Sequence, residues 1–127
     1  MAILDLTAFP EGTREHLGVL FEEPLLEPSA LRTQVDTHLR LLREAFMTNP
    51  DIAHDLATQL TESCLGLLWM SREGTDEETR RLVQVATHYF TLSEDRDGDF
   101  SKGGLNDDRE VINVICRHLG RDDLVVR

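Results

Sequence analysis

Four successive stretches of this chain place apolar residues three or four positions apart, each bounded by a capping or breaking residue, and this restricts its fold more than any other feature. A helix turns once every 3.6 residues, so such spacing gathers apolar side chains into one stripe that must be buried. The first stretch follows Pro28, takes Ser29 as its N-cap candidate, and carries Leu31, Val35, Leu39, Leu42, Ala45 and Phe46 to about Met47. Asn49-Pro50-Asp51 opens the second, with Asn as cap, Pro at the first helical position and Asp in the first turn. Leu56, Leu60, Cys64, Leu67 and Leu68 continue it, Trp69 and Met70 read as core, and Gly74 stops it. Thr75 and Glu78 have the spacing of a capping box ahead of the third, which runs through Leu82, Val83, Val85, Ala86, Tyr89 and Phe90. Asn106 or Asp107 caps the fourth, with Val111, Ile112, Val114, Ile115 and Leu119 inside and Gly120 at the C′ position. Arg117 and His118 suit its negative end. No period-2 run appears. Short connections make successive helices antiparallel neighbours, so the pattern predicts an all-α, antiparallel four-helix bundle with an irregular N-terminal arm.

Residues 1–28 form that arm. Pro10, Gly12, Gly18, Pro24 and Pro28 leave room for a helix from Thr13 to Phe21 at most. Leu4, Leu6, Phe9, Leu17, Leu20, Phe21, Leu25 and Leu26 make it too apolar for a free tail, so it is expected to pack across the bundle. The 127 residues read as one helical domain with enough apolar content, 40%, for a core without disulfide or metal staples. The N-terminus lacks the basic region of a signal peptide, and no apolar run nears the roughly 20 residues that span a bilayer. Cys64 and Cys116 stand alone in apolar helical patterns, as reduced core thiols of a cytoplasmic protein do.

Twenty-four acids against thirteen Lys and Arg give a formal charge of −11. That balance argues against nucleic acid and anionic membrane, which need a basic footprint, and fits a protein partner with a basic surface. The acids are densest in the loop from Ser93 to Gly104 and the helix start after it. Packed carboxylates repel unless a cation, helix N-terminal amides or a basic partner offsets them. An EF-hand register with Gly98 at the turn puts Ser93, Asp95, Asp97, Asp99 and Ser101 at ligand positions, but Gly104 stands where a bidentate Glu belongs. Calcium or another divalent cation bound weakly by Ser93, Asp95, Asp97 and Asp99 is therefore the alternative reading of the loop.

Tyr89-Phe90, Asp95, Asp99-Phe100, Gly103 or Gly104, and Leu105-Asn106-Asp107 follow one another in the order of a known signature. Over about residues 82–120 the chain resembles the YkvA-like family of small bacterial helical proteins, a domain of unknown function. The family pattern has apolar residues and two prolines where this chain has Glu94, Arg96, Asp97, Gly98, Ser101 and Lys102, and about two loop residues are missing. The resemblance implies a helical fold and no activity.

In physical terms Asp107 and Asp108 read as helix-start acids, while Phe100 and Leu105 pin the loop. Five His residues lack a catalytic or di-metal pattern: Asp51-x-x-His54 is a single match, His38 and His88 lie beside apolar stripes, and His118 points away from Cys116. The sequence leads to a non-enzymatic interaction module that recognises a basic partner through Asp95, Asp97, Asp99, Asp107 and Asp108, with Phe100 as apolar anchor. A homodimer through an exposed apolar helix face is compatible with the pattern.

Overall fold

The computed structural model describes residues 6–48, 54–71, 76–92 and 102–126. Within them the chain is all-α, with no strand. Five helices follow in order: α1 Arg14–Phe21, α2 Pro28–Thr48, α3 His54–Met70, α4 Glu77–Leu92 and α5 Lys102–His118. Short 3-10 turns flank them at Leu6–Ala8, Glu11–Thr13 and Asp122–Leu124. No helix among the described residues is long and apolar enough to cross a membrane.

Helix α4 is the centre of the molecule. It packs against α1, α2, α3 and α5, and every residue from Leu82 to Thr91 is buried. Burial on all sides is demanding for a helix with polar residues, and most of their polar atoms find partners. The Thr87 and Thr91 hydroxyls donate to the carbonyls of Val83 and Thr87 one turn earlier. Gln84 and His88 bond to the segment between α1 and α2 instead. The arm expected at residues 1–28 therefore contributes a helix to the core: Phe9, Leu17 and Leu20 are buried, Phe9 meets Phe21 edge-on at 6.3 Å, and the His16 ring lies 5.3 Å from Tyr89.

Two contacts orient the helices around α4. Glu78 in its first turn lies 3.9 Å from His118 at the end of α5, so these two helices run antiparallel. Leu26, just before α2, bonds to Gln84, and His38 further along α2 stands edge-on to Phe90 at 4.7 Å, so α2 and α4 run in the same sense.

Helix boundaries differ from the sequence expectations in instructive ways. Helix α2 starts at Pro28, where the missing N–H costs nothing, and the Glu27 carbonyl receives the Ala30 and Leu31 amides. Ser29 is thus inside the helix, not its cap. The cap of α4 is Asp76: its carbonyl accepts the Arg80 amide, and its carboxylate accepts from Thr79 side chain and backbone, which holds it below the usual carboxylate range. Thr75, and likewise Asn49, Pro50, Asp51 and Gly74, lie outside the described residues. Helix α5 starts at Lys102, so Asn106, Asp107 and Asp108 sit more than a turn inside it and cap nothing. Its other end matches expectation. Gly120 has φ +74°, and the Gly120 and Arg121 amides bond to the carbonyls of Arg117 and Cys116, which forms a Schellman turn.

The stripes shift as well. The buried line of α2 is Leu31, Val35, His38 and Leu42, with His38 in the place expected for Leu39. On α3 the line through Leu60, Cys64, Leu67 and Leu68 leaves Trp69 on the opposite side, 62% exposed, so Trp69 is not core.

Candidate functional site

Of the residues expected to recognise a partner, Asp95, Asp97, Asp99 and Phe100 lie outside the described residues, as does Ser93. Asp107 is exposed on α5, with Asn106 and Glu110 exposed beside it. Asp108 turns inward and is 5% exposed, which withdraws it from the surface assigned to it. The helix explains the difference: the burial line through Asp108, Val111, Ile112 and Ile115 is one continuous stripe, and adjacent positions on a helix diverge by about 100°.

Two further polar constellations emerge, and both hold chain outside the α-helices against them. The first spans α4 and residues 21–26. Gln84, 1% exposed, accepts the Leu26 amide at 2.7 Å and donates to the Pro24 carbonyl at 2.9 Å. Arg81 donates to the carbonyls of Phe21 at 2.7 Å and Glu23 at 2.8 Å, and Arg80 to that of Leu26 at 3.3 Å. His88 completes the set with Nδ1 3.0 Å from the Glu23 carboxylate. A carboxylate only accepts, so Nδ1 carries the proton in that bond. The other nitrogen, Nε2, is buried with no hydrogen-bond partner among the described residues. An imidazole oriented this way resembles a metal ligand with its supporting carboxylate, but among the described residues no three His, Cys, Asp or Glu could share a cation.

The second constellation lies between α3 and α5. The Asn113 side-chain amide donates to the Val126 carbonyl and accepts the Val126 amide, both at 2.8 Å. The Ser63 hydroxyl donates to the Leu124 carbonyl at 2.6 Å. Gly66 on α3 faces the Leu124 side chain so closely that a Cβ there would meet Leu124 Cδ2 at 2.7 Å. Val126 is buried, Leu124 and Val125 pack on the core, and Arg121 pairs with Asp123 through two bonds of 2.9 and 2.8 Å. Open clefts of about 360 and 420 Å³ lie along this segment, the first lined by Gln59, Glu62, Ser63 and Asp123 with residues 124–126, the second by Arg117 and Asp122 with Val125 and Val126.

The remaining reactive groups are quiet. Burial raises the Cys64 thiol far above its ordinary range and pushes Cys116 up to about 11, so neither supplies a thiolate at neutral pH. Burial holds His38 down at about 4, which makes it a neutral core residue at pH 7.

Gln84 and Asn113 carry no weight in a scan for motifs, yet one signal was there to be read. Each is a lone amide between two β-branched apolar residues, Val83 and Val85 or Ile112 and Val114. A buried amide in such a run needs a partner, and extended backbone supplies a donor and an acceptor together. No family model matches the chain, and no curated protein or solved structure does.

Proposed function

We propose that this chain is a non-enzymatic interaction module of the cytoplasm, which binds a protein partner with a basic surface through the acids around the α4–α5 connection. The observation that carries this reading is the formal charge of −11, whose acids are densest ahead of and within the first half of α5, where Asp107 and Glu110 are exposed. A surface of one sign steers association with the opposite sign and makes it sensitive to salt. Asp95, Asp97, Asp99 and Asp107 would make the charged contacts and Phe100 the apolar anchor. Within the same proposal, α2 to α5 form an antiparallel four-helix bundle with the N-terminal arm laid across it, and the likeness to the YkvA-like family describes its third and fourth bundle helices.

The test is a pull-down at low and high salt with wild type, with Asp97→Asn/Asp99→Asn, and with Asp36→Asn/Glu44→Gln as a charge-matched control on α2. Loss of partners in the loop variant alone, and in wild type at high salt, is expected. Equal recovery in all three chains would end the proposal. The alternative, a divalent-cation site at Ser93, Asp95, Asp97 and Asp99, is favoured by helices on both sides of the loop, α4 ending at Leu92 and α5 starting at Lys102. Calorimetric titration with calcium, magnesium and manganese separates the two, because heat abolished by Asp97→Asn supports the cation and its absence at millimolar metal dismisses it.

A further inference from the structure

Residues 121–126 lie against the helices as a bound peptide lies in a receptor. The groove reads main chain: Asn113 takes both the amide and the carbonyl of Val126, as a neighbouring strand would, and Ser63 takes the Leu124 carbonyl. It also holds side chains, since Leu124 meets Gly66 and Val126 is buried, with Leu124 and Val125 both half-buried against the core. Gly66 is informative because glycine inside a helix costs about 0.5–1 kcal/mol relative to alanine. Its missing Cβ makes the socket that Leu124 fills.

The occupant is joined so that it can leave. Its own ion pair, Arg121 with Asp123, stays within the segment. The Schellman turn at Gly120 ends α5 and takes in the Arg121 amide, so residues 122–126 can withdraw without unwinding the helix. Among the described residues, Ser63 and Asn113 tie residues 124–126 to the helices. Open clefts lined by Val125 and Val126 adjoin the segment.

We propose that the α3–α5 groove is a peptide-recognition site, occupied here in cis by residues 121–126, that accepts in trans a peptide of the same form, a 3-10 turn running into a short apolar end. A tethered occupant acts at an effective concentration in the millimolar range, so the cis segment masks the site until it is released. The groove uses none of the acidic-loop residues, and its test stands or falls independently of the interaction proposed there.

The experiment uses the full chain carrying Leu124→Asp, which removes the anchor and sets a carboxylate against Gly66. Its helix content is checked by circular dichroism, and Leu124→Ala replaces it if the fold is lost. The probe is a fluorescein-labelled, end-blocked Arg-Asp-Asp-Leu-Val-Val peptide, read by anisotropy. One-to-one binding at least tenfold tighter than to wild type is expected, weakened by adding Ser63→Ala and absent for a scrambled peptide. A folded Leu124→Asp chain that ignores the peptide at millimolar concentration overturns the inference, as does equal binding of the scrambled sequence. A concentration-dependent wild-type dimer that Leu124→Asp abolishes would assign the groove to a second copy and overturn it too.

Discussion

Replacing Gln84 with leucine isolates the bond between the central helix and the segment that crosses it. Gln84 is almost fully enclosed and makes two hydrogen bonds, to the Leu26 amide at 2.7 Å and the Pro24 carbonyl at 2.9 Å. Leucine fills nearly the same volume, so little cavity is created and the polar loss dominates. Each neutral hydrogen bond contributes a net of about 1 kcal/mol, and an amide left buried without a partner costs about 1–3 kcal/mol. Pro24 is exposed and its carbonyl can return to water, whereas Leu26 is partly covered. The segment cannot simply lift away, because α1 and α2 on either side of it are packed in the core. The expected loss is therefore about 2 kcal/mol, read as a shift of the urea midpoint by about 1 M with an unchanged slope. Amide exchange at Leu26 should accelerate in step. A midpoint shift worth less than about 0.5 kcal/mol would refute the reasoning, since it would mean that the amide is not holding the chain.

Other expectations follow from the same structure. Burial keeps His38 at about 4 against its ordinary 6.5, so the unfolded chain takes up this proton below pH 6.5 and the folded chain only below about 4. Stability conferred by neutral His38 is thus complete above pH 6.5 and falls by about 3 kcal/mol as the pH drops through that window; wild type should therefore lose about that much relative to His38→Leu from pH 7 to pH 4, and a constant difference would contradict it. Gly120→Ala should cost about 1 kcal/mol from its φ of +74° alone, since nothing lies within 4 Å of the added Cβ, and Gly120→Asn should cost less. Both cysteines should resist alkylation at pH 7 until the protein is unfolded, and modification of the native chain at the rate of a free thiol would show that Cys64 or Cys116 opens to solvent.

Much of the helical layout was legible because it rests on spacing. Leu31, Val35 and Leu42, or Val111, Ile112 and Ile115, declare their stripes without any tertiary information. Gly120 was legible for a different reason: a glycine after a helix has one common structural use, and the positive φ confirms it. Caps were harder. Ser29 lies inside a helix that starts at Pro28, Asp76 caps α4, and Asn106 and Asp107 follow a start at Lys102, because several residues near each boundary can cap and the tertiary path selects one. The central burial of α4 could not be read from its pattern, since Gln84, Thr87, His88 and Thr91 interrupt the apolar run and look like a solvated face. Their burial depends on residues 21–26, some sixty positions away, which no local period encodes. The segment after α5 was passed over for the same reason: Leu124-Val125-Val126 carries no motif, and its meaning lies in Ser63, Gly66 and Asn113. At the acidic site, exposed Asp107 and inward Asp108 show that charge density in the sequence overcounts the charges a surface presents.

Two lone amides, Gln84 and Asn113, hold two segments outside the helices, one locked between helices and one proposed to leave its groove. Native-state hydrogen exchange across a range of denaturant tests this most directly, read at the amides of Leu26 and Val126 that bond to these side chains. Leu26 should exchange only with global unfolding. Val126 should be protected yet exchange through a smaller opening, with a free energy below the global value and little dependence on denaturant. Exchange of both amides at the global free energy would contradict a releasable segment, and an unprotected Val126 would contradict the Asn113 clamp itself.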